Sequence, residues 1–104
     1  MLHFFRNLFT GKNTTILQQA LAKGAVIIDV RTPREYSQGH IKGAQNIPLN
    51  EIKLKSDIIK RWGKPVITVC RSGSRSLMAK NTLTSAGIEA YNGGAWTNLQ
   101  ILIG

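Results

Sequence analysis

Acidic residues are scarce in this chain of 104 residues: five Asp and Glu stand against 14 Lys and Arg, a formal net charge of +9. Cysteine is scarcer still. With Cys70 alone there is no internal disulfide, no CxxC pair and no second thiol to resolve an oxidised Cys70 within the chain. Two histidines and one cysteine at these separations form no zinc pattern. No stretch approaches the ~18 apolar residues of a membrane-spanning helix. The opening, MLHFFRNLFTGK, is apolar but broken by His3, Arg6 and Asn7. It lacks a basic leader, a continuous apolar centre and a small-residue cleavage site, so a cleaved signal peptide is not expected. Residues 1–12 are expected to be a separate N-terminal segment, an amphipathic piece packed on the domain rather than one lying on a membrane surface. The chain is expected in the cytoplasm. Internal repeats and low-complexity linkers are missing too, and the length fits one domain, residues 13–104.

What is present is a globular composition. Hydrophobic residues make up 42%, enough for a core and too many for disorder. The positive charge is scattered, with one dense run of Lys53, Lys55, Lys60, Arg61 and Lys64. That run offers no series of aromatics for base stacking. It reads as a solvated basic surface that also attracts small anions, and no nucleic-acid partner is expected.

Strand and helix signals alternate along the chain. Asn13 or Thr14 can cap a helix carrying Ile16, Leu17, Ala20 and Leu21, which Gly24 ends. Ala25 to Val30 is a short apolar run, expected as a buried parallel strand. Pro33 opens a short helix to about Gln38, stopped by Gly39. Ala44 to Ile47 is a brief strand closed by Pro48. Asn50 can cap a helix from Glu51 to about Trp62, broken by Gly63-Lys64-Pro65. A helix ending at Ala86 and Gly87, a short strand from Glu89 to Tyr91 and a Gly93-Gly94 turn lead to a last helix through Trp96, Leu99 and Leu102. The expected fold is a single α/β domain, a central mainly parallel sheet flanked by helices on both faces.

The rest is organised around Val66 to Arg75, VITVCRSGSR. A β-branched run delivers Cys70 to the end of a buried strand. Ser72 or Ser74 can cap the following helix, and Gly73 permits a tight turn. Unpaired N–H groups, the positive helix end and the guanidiniums of Arg71 and Arg75 would then favour thiolate over thiol at Cys70. The outcome is a nucleophile inside a ring of donors, at the carboxyl end of a strand where open parallel sheets place their sites.

Cys70-Arg71-Ser72-Gly73-Ser74-Arg75 resembles the six-residue active-site loop of the rhodanese family, the thiosulfate:acceptor sulfurtransferases. Upstream, DVRTPREYSQGHIKGAQNIP from Asp29 to Pro48 is similar to that family's signature at nearly every position. Gly93-Gly94-Ala95-Trp96 resembles its Gly-Gly-aromatic element. Together the three matches span Val26 to about Leu99. The resemblance implies a single rhodanese-like domain in which catalytic Cys70 takes a sulfane sulfur from thiosulfate or a similar small anionic donor. The resulting persulfide passes it to cyanide, a thiol or a protein acceptor. Arg71, Ser72, Gly73, Ser74 and Arg75 form the substrate-binding loop, with Arg75 as organiser and Arg71 adding charge. No metal or organic cofactor is implied, and a monomer or weak homodimer is expected.

The remaining motif residues have quieter expectations. Asp29 and Arg31 suit a structural ion pair, with Arg31 facing the substrate mouth as the alternative. Glu35 and Tyr36 suit packing and hydrogen bonding, His40 belongs to a turn rather than to a Cys–His dyad, and Trp96 suits the core. Two rivals to sulfur transfer stand. A cysteine-dependent phosphatase or arsenate reductase uses C-x5-R, whereas here Arg75 arrives one residue sooner and Ser76 holds the sixth position. A non-catalytic rhodanese-like module that binds a partner is the other.

Overall fold

The computed structural model describes residues 12–104, and the expected N-terminal segment, residues 1–12, falls outside them except for the backbone of Lys12. The elements in chain order are α1 (Lys12–Ala22), β1 (Val26–Asp29), α2 (Pro33–Ser37), β2 (Gln45–Asn46), α3 (Leu49–Arg61), β3 (Val66–Cys70), α4 (Ser74–Ser85), β4 (Ala90–Ala95) and α5 (Trp96–Ile103). The four strands form one sheet in the order β2-β1-β3-β4, and every neighbouring pair is parallel. The expected α/β domain is thus present, with a sheet that is parallel throughout.

β3 is central and buried at all five positions. Side chains alternate along a strand, so its two faces feed two cores. Val66 and Cys70 join Ile28, Ile52, Ile59, Ala79 and Leu83 on the side covered by α3 and α4. Ile67 and Val69 join Leu17, Ala20 and Leu99 on the side covered by α1 and α5. Burying large aliphatics like these stabilises the fold by roughly 1.5–3 kcal/mol each. Cys70 therefore faces α4.

Several local expectations change. α1 takes in Asn13 and Thr14 rather than starting after them. α3 begins at Leu49, after Pro48, with no side-chain cap, so Asn50 lies inside the helix. Proline needs no N–H partner and its fixed φ suits a helix entrance. Neither Ser72 nor Ser74 caps α4: Gly73 holds the N-cap position with φ +105°, and Ser74 is the first helical residue. That φ is open to glycine and strained for other residues.

The Gly93-Gly94 turn is replaced by strand. β4 runs on to Ala95, with a register shift between Thr68 and Val69 where Asn92 and Gly94 are the paired residues. Gly93 is the extra residue of that bulge. A Cβ there would sit 2.7 Å from Ile67 Cγ2 and 2.9 Å from Val69 Cγ1, so only glycine fits against β3.

Candidate active site

β1 and β3 are adjacent, and the chain leaves them in opposite directions, toward β2 and toward β4. This is the topological switch point of the sheet, where the loops after the two strands diverge and leave a crevice. Cys70 ends β3 there, and Asp29 ends β1 beside it.

The Cys70 side chain is fully buried. Its Sγ accepts from the Gly73 N–H at 3.0 Å and the Ser76 N–H at 3.4 Å, and lies 3.3 Å from Ser76 Oγ. Burial pushes the thiol up; the Ser76 hydroxyl and the N–H groups of Ser76, Gly73 and Ser72 more than offset it, leaving Cys70 below its ordinary value. Hydrogen bonds, from the loop N–H groups expected from the sequence and from the Ser76 hydroxyl, carry that shift ahead of the guanidinium charges. Arg71, Ser72 and Ser74 lie around the loop, Arg71, Ser72 and Ser74 all short of full burial. A cleft of about 630 Å³ opens beside it, lined by Ser72, Asn92, Ala95, Leu99 and Leu102 among others.

Arg75 is held by a carboxylate of α2. Its Nη1 and Nη2 fork onto Glu35 Oε1 and Oε2 at 2.8 and 3.0 Å. Glu35 is doubly used. Thr32 caps α2 by accepting from the Glu35 N–H, while Glu35 Oε1 accepts from the Thr32 N–H in return. The Arg75 fork, then the Thr32 hydrogen bonds, hold the Glu35 carboxyl down at about 2 against an ordinary 4.5. The cap aims the carboxylate, and the carboxylate fixes the arginine that closes the loop.

The other motif residues build the rim. Arg31 binds Asp29 through Nε at 2.9 Å and Nη2 at 2.7 Å, in the interior. Its Nη2 also donates to the Gly39 carbonyl at 2.6 Å, and its guanidinium lies 4.9 Å above the Trp96 ring. That is the structural ion pair, with the arginine committed to it. His40 Nδ1 lies 2.7 Å from the Tyr36 carbonyl and so donates to it, and its ring stacks on Tyr36 at 3.7 Å. Asn46 Nδ2 donates to the Asp29 and Arg31 carbonyls, tying β2 to the loop after β1.

The rhodanese-like domain profile matches residues 13–100. The chain belongs to the rhodanese-like domain family. An uncharacterized Bacillus subtilis protein, YqhL, is 46% identical over 69 residues, covering 65% of this chain and 54% of that protein. Escherichia coli thiosulfate sulfurtransferase PspE is 39% identical over 61 residues, covering 58% of this chain and 59% of its own. The chain thus spans a little over half the length of these curated relatives. Among solved structures, the human single-domain sulfurtransferase TSTD1 superposes with a TM-score of 0.63 at 30% identity, covering 82% of this chain and 89% of that one.

Two contributors carry little signal in the sequence. Ser76 stands out there only for following Arg75, yet its N–H donates to the sulfur and its hydroxyl lies 3.3 Å from it. Asn92 gives one sign, a polar residue beside the Gly-Gly pair in an otherwise apolar strand. Its Oδ1 accepts from Ser76 Oγ at 2.6 Å and its Nδ2 donates to the Gly73 carbonyl at 3.1 Å.

Proposed function

We propose that this rhodanese-like domain is a sulfurtransferase that carries sulfane sulfur as a Cys70 persulfide. The observation that carries the reading is the surroundings of Sγ: backbone N–H groups of Gly73 and Ser76 and one hydroxyl converge on a single atom. Such a ring favours an anion of one sulfur's size and asks for no general base, because the thiolate is already favoured.

The Cys70 thiolate attacks the outer sulfur of thiosulfate or a similar donor. The new S–S bond forms as the bond to the sulfonate breaks, and sulfite leaves with its electron pair. The persulfide's terminal sulfur keeps the negative charge against the loop N–H groups. An acceptor nucleophile, such as cyanide, a thiol or a protein thiolate, then bonds to that sulfur and returns Cys70 as thiolate. This is covalent catalysis in two half-reactions. Arg71, Ser72 and Ser74 form the mouth that meets the donor, and Arg75 acts through Glu35 to hold the loop. Thiol or protein acceptors, a cytoplasmic setting and a monomer or weak dimer complete the proposal.

A phosphatase reading needs Arg75 to grip the oxyanion, whereas both of its Nη groups are engaged by Glu35. The test is a paired assay, thiosulfate with cyanide against an aryl phosphate, with Cys70→Ser as control. Thiocyanate formation without phenol release is expected. Phenol release alone, lost in the control, would overturn the proposal.

A further inference from the structure

The hydrogen-bonding groups around Asn92 fix its orientation. Oδ1 accepts from Ser76 Oγ at 2.6 Å and from the Gly94 N–H at 2.9 Å, while Nδ2 donates to the Gly73 carbonyl at 3.1 Å. Turning the amide over would set its NH2 against an N–H and its oxygen against a carbonyl. Because an amide oxygen only accepts, the Ser76 hydroxyl proton sits on Asn92. A protonated Cys70 therefore donates to Ser76 Oγ, giving the directed chain Sγ–H to Oγ–H to Oδ1.

That direction cannot persist once the sulfur is an anion. A thiolate only accepts, and the Ser76 lone pair that met S–H would face negative charge. The hydroxyl has one proton and a free rotor, so it turns from Oδ1 to Sγ. Asn92 can release it at little cost, since the Gly94 N–H still satisfies Oδ1. The other end of the same amide joins the Leu77 N–H in holding the Gly73 carbonyl. It thereby helps to fix the residue at φ +105° whose own N–H reaches the sulfur.

We propose that Asn92 is a positioning residue for Cys70: it parks the Ser76 hydroxyl while Cys70 is a thiol, yields it when the thiolate forms, and anchors the Gly73 donor. This rests on Cys70 being the working nucleophile, but its test reads the thiol and not sulfur transfer. Arg75 of α4 is a charged group that acts on the thiol, itself held by Glu35 of α2 and attracted by Asp29 of β1. Substitutions at 76 and 92 leave all three in place.

The experiment measures the rate of Cys70 alkylation by iodoacetamide against pH in wild type, Ser76→Ala, Asn92→Ala and the double variant, with melting curves to confirm folding. In the Ser76→Ala protein the hydroxyl is already gone. Adding Asn92→Ala then removes the Gly73 anchor and the acceptor of the Gly94 N–H, with no hydroxyl left to release, and the apparent thiol pKa rises. With Ser76 in place, Asn92→Ala also frees the hydroxyl for the sulfur. The change there is expected to lie lower by roughly half a pKa unit or more, the worth of one net hydrogen bond. If Asn92→Ala does not fold, Asn92→Asp serves: a carboxylate grips the hydroxyl harder, and its upward shift must be larger with Ser76 present than in the Ser76→Ala protein. Equal shifts in both backgrounds, no shift in either, or coupling of opposite sign would overturn the proposal. A protein that titrates as expected yet takes no sulfur from thiosulfate would sink the functional reading and leave this inference standing.

Discussion

Replacing Glu35 by Gln keeps the side chain's size and removes the charge that Arg75 forks onto. The carboxyl is held at about 2 against an ordinary 4.5. Taken at face value at 1.36 kcal/mol per unit, that is about 3 kcal/mol. The side chains of Arg75 and Glu35 are 35% and 28% exposed, so solvent screens the pair and about 1 kcal/mol is the sounder figure. In a domain of this size that lowers the melting temperature by about 5 °C. The dependence on pH is specific. A carboxyl depressed on folding contributes fully above its unfolded value and loses that contribution as pH falls through its folded value. The stability gap between wild type and Glu35→Gln should be whole at neutral pH, shrink from about 4.5 downward and vanish below about 2. Urea titrations at a series of pH values read it directly. A gap of unchanged size in acid, or no gap at neutral pH, would refute the assignment of Glu35 as the anchor of Arg75.

Other expectations rest on the same geometry. Arg75→Ala should slow sulfur transfer roughly tenfold or more with the circular dichroism unchanged, because the loop donors lose their brace; full activity would demote the arginine to a surface charge. Gly93→Ala forces a methyl to within 3.0 Å of side chains of the central strand, and thermal or urea melts should show a loss of about 1–3 kcal/mol. A change under about 0.5 kcal/mol would mean β3 and β4 can separate freely. Inserting one residue between Cys70 and Arg75 widens the ring, so thiosulfate activity should fall while phosphate or arsenate gains entry; normal sulfurtransferase activity in a native fold would show that loop length is not the selector.

The elements were legible where local chemistry decides them. A β-branched run between Pro65 and a Ser/Gly loop reads as β3, and Gly24 and Gly87 follow the helices that end at Ala22 and Ser85. The position of Cys70 followed from that strand. Glu35 and Arg75 were not legible as partners, because they lie 40 residues apart and meet only through the pairing of β1 with β3. Serine propensity pointed to a cap at the start of α4, but Gly73 takes that place, and the serine that matters is Ser76, turned inward onto the sulfur. Gly93-Gly94 carried a turn signal. What requires the first glycine is a bulge pressed on β3, a tertiary constraint that dipeptide preference does not contain.

The central claim is that Cys70 carries the transferred sulfur, and intact mass spectrometry tests it in one sample. No other thiol is present in the chain, so any persulfide formed belongs to Cys70. Incubation with thiosulfate and no acceptor should add the mass of one sulfur atom per chain, and cyanide should remove it and yield thiocyanate. Cys70→Ser, folded, should do neither. A wild-type protein that gains no sulfur from thiosulfate or from any other sulfane donor would contradict the account.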